Sequence, residues 1–436
     1  MNKIPNLTKI IITLSPKLNN IPALVSFINQ GITIFRMNFS HGTEQEHKLL
    51  IDNLRQASQK TNTIITICLD TKGQEFRINL TKSSEMNVKD NDIILFTNKK
   101  DTEDIFIPIE DFNILNKGMK FFLDDGFLSL EILEVSTNYI KAKALNSHRL
   151  KNNKKVNFPG IKFKNSGLID IDKEDILFGV RNQVDVIFGS FILNKEDVLK
   201  IKELCGDIPV YSKIEAIKGV ENIDDIIDNS DGIMVARGDL GVETGFVEMF
   251  GVMKTLVKKC REKFRPVICA TQMLESMTTS TIPLRSEISD IGNAVLDEYD
   301  SLMLSGETAV GDFPYLCTAF MQNIIRNAEE HASKKKCSKC PFINQIDSCI
   351  ILETSSHSII KSLYNKRLGV NIYVISEDRR FLSIINLYRG IIPLQKSEES
   401  VEEIGKKLKE EHGYKKIMHF SFNNETEDLQ TINILN

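Results

Sequence analysis

Short apolar runs alternate along this chain with longer stretches in which apolar residues recur at helical spacing. Eight runs stand out: Lys9–Leu14, Ile32–Asn38, Thr63–Asp70, Val184–Phe191, Ile208–Glu215, Gly232–Ala236, Pro266–Thr271 and Ser301–Gly306. Most are followed by an amphipathic segment, as with Asn222–Asn229, Val247–Glu262 and Glu287–Glu298. Strand–helix alternation predicts a parallel sheet, and eight repeats of it predict a closed (β/α)8 barrel. The alternation breaks between about Gln74 and Gly160, where short β-type patterns such as Asp92–Phe96 and Lys120–Leu123 lie among Asn, Lys and Asp, with a turn at Asp124–Gly126. That change of texture predicts a small β domain inserted in a βα connection, hanging over the mouth of the barrel as a lid. Beyond a linker, Asp347–Glu353, Asn371–Ser376 and Lys416–Phe420 read as strands separated by helices. The expected division is 1–73 and 160–330 for the barrel, 74–159 for the β lid and 340–436 for a compact C-terminal α/β domain.

Composition narrows the functional classes. The 436 residues are 42% hydrophobic and 26% charged with a net charge of −4, so no basic excess suggests a nucleic-acid partner. The apolar run Ile10–Ile12 is too short for a membrane span or signal peptide, which leads to the expectation of a soluble, cytoplasmic protein with no membrane partner. Cys68, Cys205, Cys260, Cys269, Cys317 and Cys349 lie in largely apolar segments and read as reduced, buried thiols. Cys337 and Cys340 form a close pair; they read either as half a zinc site or as part of a polar linker.

Chemistry concentrates where the strands end. Arg36, Asn38, Asp70, Ser190, Lys213, Glu215, Asp239, Thr271 and Ser305 all fall at or just past C-terminal strand ends, the rim on which a barrel carries its active site. Lys213 and Glu215 are two apart, so in a strand both leave the same face. Asp239 follows the next strand at a Gly-flanked helix start. Two carboxylates from adjacent strand ends with a lysine between them suit a hard divalent cation and a phosphorylated or enolate-forming substrate.

Seven strings in one order then make the chain resemble the pyruvate kinase family. They are Met37–Gly42, Asp70–Arg77, Asn157–Gly160, Lys213–Ala216, Met234–Glu243, Ile268–Met277 and Met303–Ala309. The resemblance covers the barrel, weakens in the insert and thins after Gln345, where Leu387–Ile391 is its clearest trace. It implies transfer of the phosphoryl group of phosphoenolpyruvate to ADP, giving ATP and pyruvate. It further implies Mg2+ (or Mn2+) on Glu215 and Asp239, and Lys213 and Arg36 holding the phosphoryl group and enolate oxygen. The Gly238–Asp239 amides would meet the substrate carboxylate, and Thr271 would stand beside the reacting carbon as a proton relay or carboxylate contact. Nucleotide contacts would come from Asn38, Phe39, Ser40, His41, Arg77 and Lys154, near Pro16, and K+ would be held by Asn38, Ser40, Asp70 and Thr71. Glu75 implies potassium dependence, since family members with lysine there supply the charge themselves. The family pattern is a homotetramer.

The chain departs from the family pattern at several points. Ser15 replaces a glycine, Gln74 a proline and Leu284 a threonine, and Lys154 is followed by Lys155 where glycine is usual. The turn that holds a sugar-bisphosphate phosphate in regulated members reads Glu353–Ser358 here, and the later loop has shrunk to the acidic Asn423–Asp428. Acids repel phosphate, so no activation by fructose 1,6-bisphosphate is expected. Two other readings remain at this level, a silent relative kept as a binding subunit and another phosphoenolpyruvate-handling, metal-dependent barrel. The intact set Arg36, Asp70, Lys213, Glu215, Asp239 and Thr271 speaks against the first, and the lid with Arg77 against the second.

Overall fold

The structure is a computed structural model and describes the chain except residues 1–3, 82, 101–103, 162, 164–166, 336–346, 423–426, 428 and 436. The pair Cys337 and Cys340 lies outside the described residues, as does most of Asn423–Asp428.

Eight parallel strands close on themselves: Lys9–Leu14, Ile34–Asn38, Thr66–Asp70, Val186–Gly189, Val210–Ile214, Gly232–Ala236, Val267–Ala270 and Ser301–Leu304. Each pairs with its neighbour in sequence, and the eighth returns to the first with Lys9 opposite Ser301. Several strands start later than the apolar runs suggest. Ile32, Val184 and Ile208 are buried like strand residues but lie in the incoming turns, and burial alone makes such a position apolar.

The period-two geometry of a strand sorts each residue into one of two cores. On the first strand, Ile10 and Ile12 face outward and pack with helix residues such as Leu24, Phe27 and Leu54. Ile11 faces inward, where it meets Ile34, Cys68, Phe188, Tyr211, Met234 and Met303. Leu387, from the C-terminal region, completes this inner cluster. Two positions further along the same inward faces stand Thr13, Arg36, Asp70, Ser190 and Lys213, and two beyond those Asn38 and Glu215. An apolar plug therefore fills the barrel interior and a charged layer lies directly on it.

The insert builds its own sheet. Its strand order is Phe76–Arg77, Lys155–Asn157, Lys120–Leu123, Leu128–Val135, Tyr139–Ala144, Ile93–Thr97, Ile105–Phe106. An isolated bridge links Asn79, just past the first edge strand, to Phe106 on the other edge, and the sheet has its own core around Phe96, Phe121 and Leu130. The turn expected at Asp124–Gly126 is present with φ of 54°, 55° and 90°. Gly126 touches the main barrel there: a Cβ on it would lie 2.9 Å from the Phe246 ring, so both conformation and space require glycine.

The C-terminal region is a five-stranded sheet ordered Ile391–Gln395, Asn371–Ser376, Ser348–Glu353, Lys416–Phe422, Leu429–Leu435, the last strand antiparallel. Two of these strands were not expected. Ile391–Gln395 carries Pro393, which an edge position tolerates, and Leu429–Leu435 is a largely exposed edge strand. The region is tied to the barrel by Arg367, which pairs with the fully buried Asp300 at 2.9 Å, and by Tyr364 on the same carboxylate. The six cysteines expected as buried thiols are free and buried.

Candidate active site

Strands two to five deliver a compact set of opposite charges to one end of the barrel. Asp70 is fully buried and its two carboxylate oxygens are divided between two cations. Arg36 Nε donates to Oδ2 at 2.6 Å, and Lys213 Nζ to Oδ1 at 2.8 Å. Burial alone would raise the Asp70 carboxyl, but Arg36 and then Lys213 offset it and hold it below its ordinary value. Thr13 Oγ1 accepts from Arg36 at 3.0 Å, and Ser190 Oγ accepts from Lys213 at 2.7 Å. Both cations are thus fixed in place by their neighbours. Such a pair of fixed, buried cations suits charge that develops on an oxygen or a phosphoryl group.

The acids expected to hold a divalent metal come next to them. Lys213 Nζ lies 3.3 Å from Glu215 Oε1, so the i, i+2 reading holds. Glu215 Oε2 accepts from the Phe191 amide at 2.7 Å. Burial, reinforced by Asp239, lifts the Glu215 carboxyl despite Lys213. A carboxylate buried beside another at a cost is chemically suited to a hard cation. Among the described residues no three acids, imidazoles or thiols converge into a complete metal cage.

Asp239 has a partner that the sequence reading did not assign. Lys155 Nζ sits 2.5 Å from Asp239 Oδ1 and 3.2 Å from Glu75 Oε1, and 4.6 Å from the centre of the Phe191 ring. Its ammonium also acts on Asp125, Glu215 and Glu243, so acids from lid and barrel gather around it. Lys154, named for the nucleotide, turns instead to Asp124 Oδ1 at 2.7 Å. Lys154 precedes the strand Lys155–Asn157 and pairs within the insert, whereas Lys155, its first residue, reaches the barrel.

Thr271 carries a backbone feature invisible in its string. It has φ of 71° and Gln272 one of 52°, a conformation that costs a β-branched residue on the order of 1–3 kcal/mol. Arg237 over-determines it. Its guanidinium donates to the carbonyls of Ala270, Thr271 and Gln272 and pairs with Asp290 at 2.5 Å. The Thr271 hydroxyl so placed accepts from the Gly238 amide at 2.8 Å and donates to the Ala270 carbonyl at 2.6 Å. The helix Arg237–Thr244 starts at this point and carries Asp239 in its first turn. Nothing in the local sequence around Arg237 signals this role, because the carbonyls it holds lie 33 to 35 residues further along the chain.

The other named residues also lie around this mouth. Asn38 is the register partner of Asp70, with Ser40 two residues on, and the Thr71 hydroxyl accepts from the Ser190 amide at 3.0 Å. Asn38, Ser40, Asp70 and Thr71 thus share two neighbouring strand ends, although the Asn38 side chain accepts from the Ser40 amide. Phe39 is buried and stacked on His47 at 3.9 Å, so its ring belongs to the fold and its backbone faces the rim. His41 is exposed, its carbonyl bonded to His47. Arg77 pairs with Glu75 at 2.8 Å and with the Asn153 carbonyl at 3.0 Å. Ser305, the last strand-end residue, donates its amide to the buried Glu307, whose carboxylate also accepts the amides of Met273 and Leu274. Glu307 therefore braces the loops after the last two strands.

Comparison with known proteins bears on the family of this chain. The model of the pyruvate kinase barrel domain matches residues 6–318. A pyruvate kinase of Encephalitozoon cuniculi is 39% identical over 92% of this chain and 95% of its own. Pyruvate kinase 1 of Saccharomyces cerevisiae is 37% identical, and a pyruvate kinase of Kluyveromyces lactis 36%, each over 91% of this chain and 86% of its own. No helix among the described residues is long and apolar enough to cross a membrane. With a closed parallel barrel, a rim carrying paired cations and acids, and this similarity across nearly its whole length, the chain belongs to the pyruvate kinase family of phosphotransferases.

Proposed function

We propose that this protein moves the phosphoryl group of phosphoenolpyruvate to ADP, giving ATP and pyruvate, in the cytoplasm. One observation carries the reading: Lys213 and Arg36 converge on Asp70 within 2.8 Å while Lys213 also reaches Glu215 at 3.3 Å. A single mouth thereby holds an ammonium, a guanidinium and a metal-binding acid. Phosphoryl transfer asks the protein mainly for positioning and charge stabilisation. Lys213 and Arg36 hold the migrating phosphoryl group and the enolate oxygen, and Asp70 keeps both cations in place when no substrate is bound. Glu215 and Asp239 would hold Mg2+ or Mn2+, which when bound would neutralise phosphate and enolate charge. The substrate carboxylate would meet the helix start at Gly238 and Asp239, where the Gly238 amide would exchange its present acceptor, Thr271 Oγ1, for the substrate. Thr271, fixed by Arg237, places its hydroxyl beside the carbon to be protonated. A lone hydroxyl is a weak acid, so it serves as one member of a proton relay.

On the nucleotide side, Asn38 to His41 would meet the nucleotide from the rim and Arg77 from the lid, and Lys154, now turned to Asp124, would have to swing round to join them. The present partners of Arg77 and Lys154, Glu75 and Asp124, would give way to nucleotide phosphates. Asn38, Ser40, Asp70 and Thr71 would hold K+, and Glu75 would make the activity depend on it. The functional units are the barrel (1–73 and 160–330), the lid (74–159) and the C-terminal domain (340–436), each with its own core. The protein works as a homotetramer. Fructose 1,6-bisphosphate does not activate it. In support, the Glu427 carboxylate accepts hydroxyl protons from Ser356 and Ser358 at the start of the helix His357–Asn365, an anion of its own where a phosphate would sit. An assay with phosphoenolpyruvate, ADP, Mg2+ and K+ tests the reading: wild type turns over, K+ removal lowers the rate, and Lys213→Met is inactive. A wild type without activity, or a full rate in Lys213→Met, refutes it.

A further inference from the structure

Lys155 follows Lys154 directly in the chain, and the fold gives it a specific place. It begins the insert strand Lys155–Asn157, which pairs with Phe76–Arg77 and with Phe122–Leu123. Its ammonium leaves that sheet, crosses the cleft and bonds Asp239 of the barrel at 2.5 Å. The stem is buried and the Phe191 ring covers the ammonium. It is an ion pair that joins lid to barrel through a carboxylate assigned above to the divalent metal.

We propose that Lys155 is a tethered cation that latches the lid onto Asp239, so that this attachment and divalent-metal binding exclude one another. The inference rests on the assignment of Glu215 and Asp239 to the metal. A carboxylate oxygen in a close ion pair with an ammonium cannot also enter the shell of a divalent ion at about 2.0–2.1 Å without bringing two cations together. Glu75, Asp125, Glu215 and Glu243 surround the pair. Without a bound ion, Lys155 supplies the positive charge these acids need; with one, its charge is redundant and repelled. Coupling of this kind is reciprocal: as the latch weakens metal binding, the metal weakens the lid's hold. A glycine at this position has no such coupling.

The test is Mn2+ binding by the full chain without substrates, followed by electron paramagnetic resonance of the free ion. Lys155→Met should bind Mn2+ more tightly than wild type, by on the order of tenfold, and Lys154→Met like wild type. Amide exchange at Lys155–Asn157 should rise on adding Mn2+ to wild type but not to Lys155→Met. Lys155→Gly provides a second variant should methionine pack poorly. Equal or weaker Mn2+ binding in both Lys155 variants, with binding abolished in Asp239→Asn, overturns the latch and leaves the metal assignment standing. Mn2+ binding that survives in Asp239→Asn overturns both.

Discussion

The barrel mouth and the serine-rich turn of the C-terminal region use similar materials for opposite ends. Each sets hydroxyls and amides at the start of a helix, Arg237–Thr244 in one and His357–Asn365 in the other. At the mouth, two buried cations lie behind the hydroxyls and share one internal counter-ion, Asp70. At the turn the hydroxyls of Ser356 and Ser358 are taken by Glu427, and Lys396 nearby is tied to Glu353 and Glu377. Hydroxyls and a helix start do not make a phosphate site by themselves. What decides is whether the resident charges are cations held in low dielectric or a carboxylate already in place.

The comparison can be broken at its strongest point first. Lys213→Met removes the central charge of the mouth and should lower kcat/KM by about a thousandfold or more, the scale for a preorganised charge-stabilising group. An effect below tenfold would mean that charge at the mouth is not what matters. Asp70→Ala leaves Arg36 and Lys213 buried without their acceptor and should cost about 3–5 kcal/mol of stability in denaturant unfolding. A variant as stable as wild type would show the pair to be solvated.

The mouth should also carry a pH signature. Burial raises the Glu243 carboxyl to about 7 from its ordinary 4.5, so the native state holds more protons than the unfolded chain between those values. Stability should therefore fall as pH rises from 4.5 to 7 and then level off, by at most about 3 kcal/mol. Glu243→Gln should make the profile shallower without flattening it, because burial also raises Asp175 to about 7 and Asp185 to about 6, and an unchanged slope would reject Glu243 as a source. Asp70, held low, acts in the opposite sense: its contribution is present above its ordinary 3.8 and is lost as pH falls below that. Arg237→Met releases the strained Thr271 backbone and should lower kcat by about ten- to a hundredfold with little change in KM, the cost of misplacing a reacting group. A rise in KM alone would point to substrate binding. The smallest effect belongs to the turn: Ser358→Ala and added fructose 1,6-bisphosphate should each leave the rate unchanged, and saturable activation by the sugar would show that Glu427 does not fill the site.

Much of this was legible along the chain because strand geometry is local. The i, i+2 relation placed Lys213 beside Glu215, and period-two alternation placed Arg36 and Asp70 above the apolar residues that precede them. The strand Ile391–Gln395 was missed because Pro393 reads as a breaker, and Leu429–Leu435 because an exposed edge strand lacks a buried face. The pairing of Lys155 with Asp239 was missed because the two lie far apart in the chain and meet only when the insert folds over the mouth.

The sequence alone determined the barrel, the interruption for the lid and the rim of charged strand ends, since each follows from a repeat of hydrophobicity over a few residues. Only the tertiary structure decided which of two adjacent lysines enters the site, how Arg237 holds a strained Thr271, and that Glu427 fills the serine turn. Those outcomes depend on the direction of side chains brought together across long loops, and that direction is set by packing between elements rather than by any pattern within one.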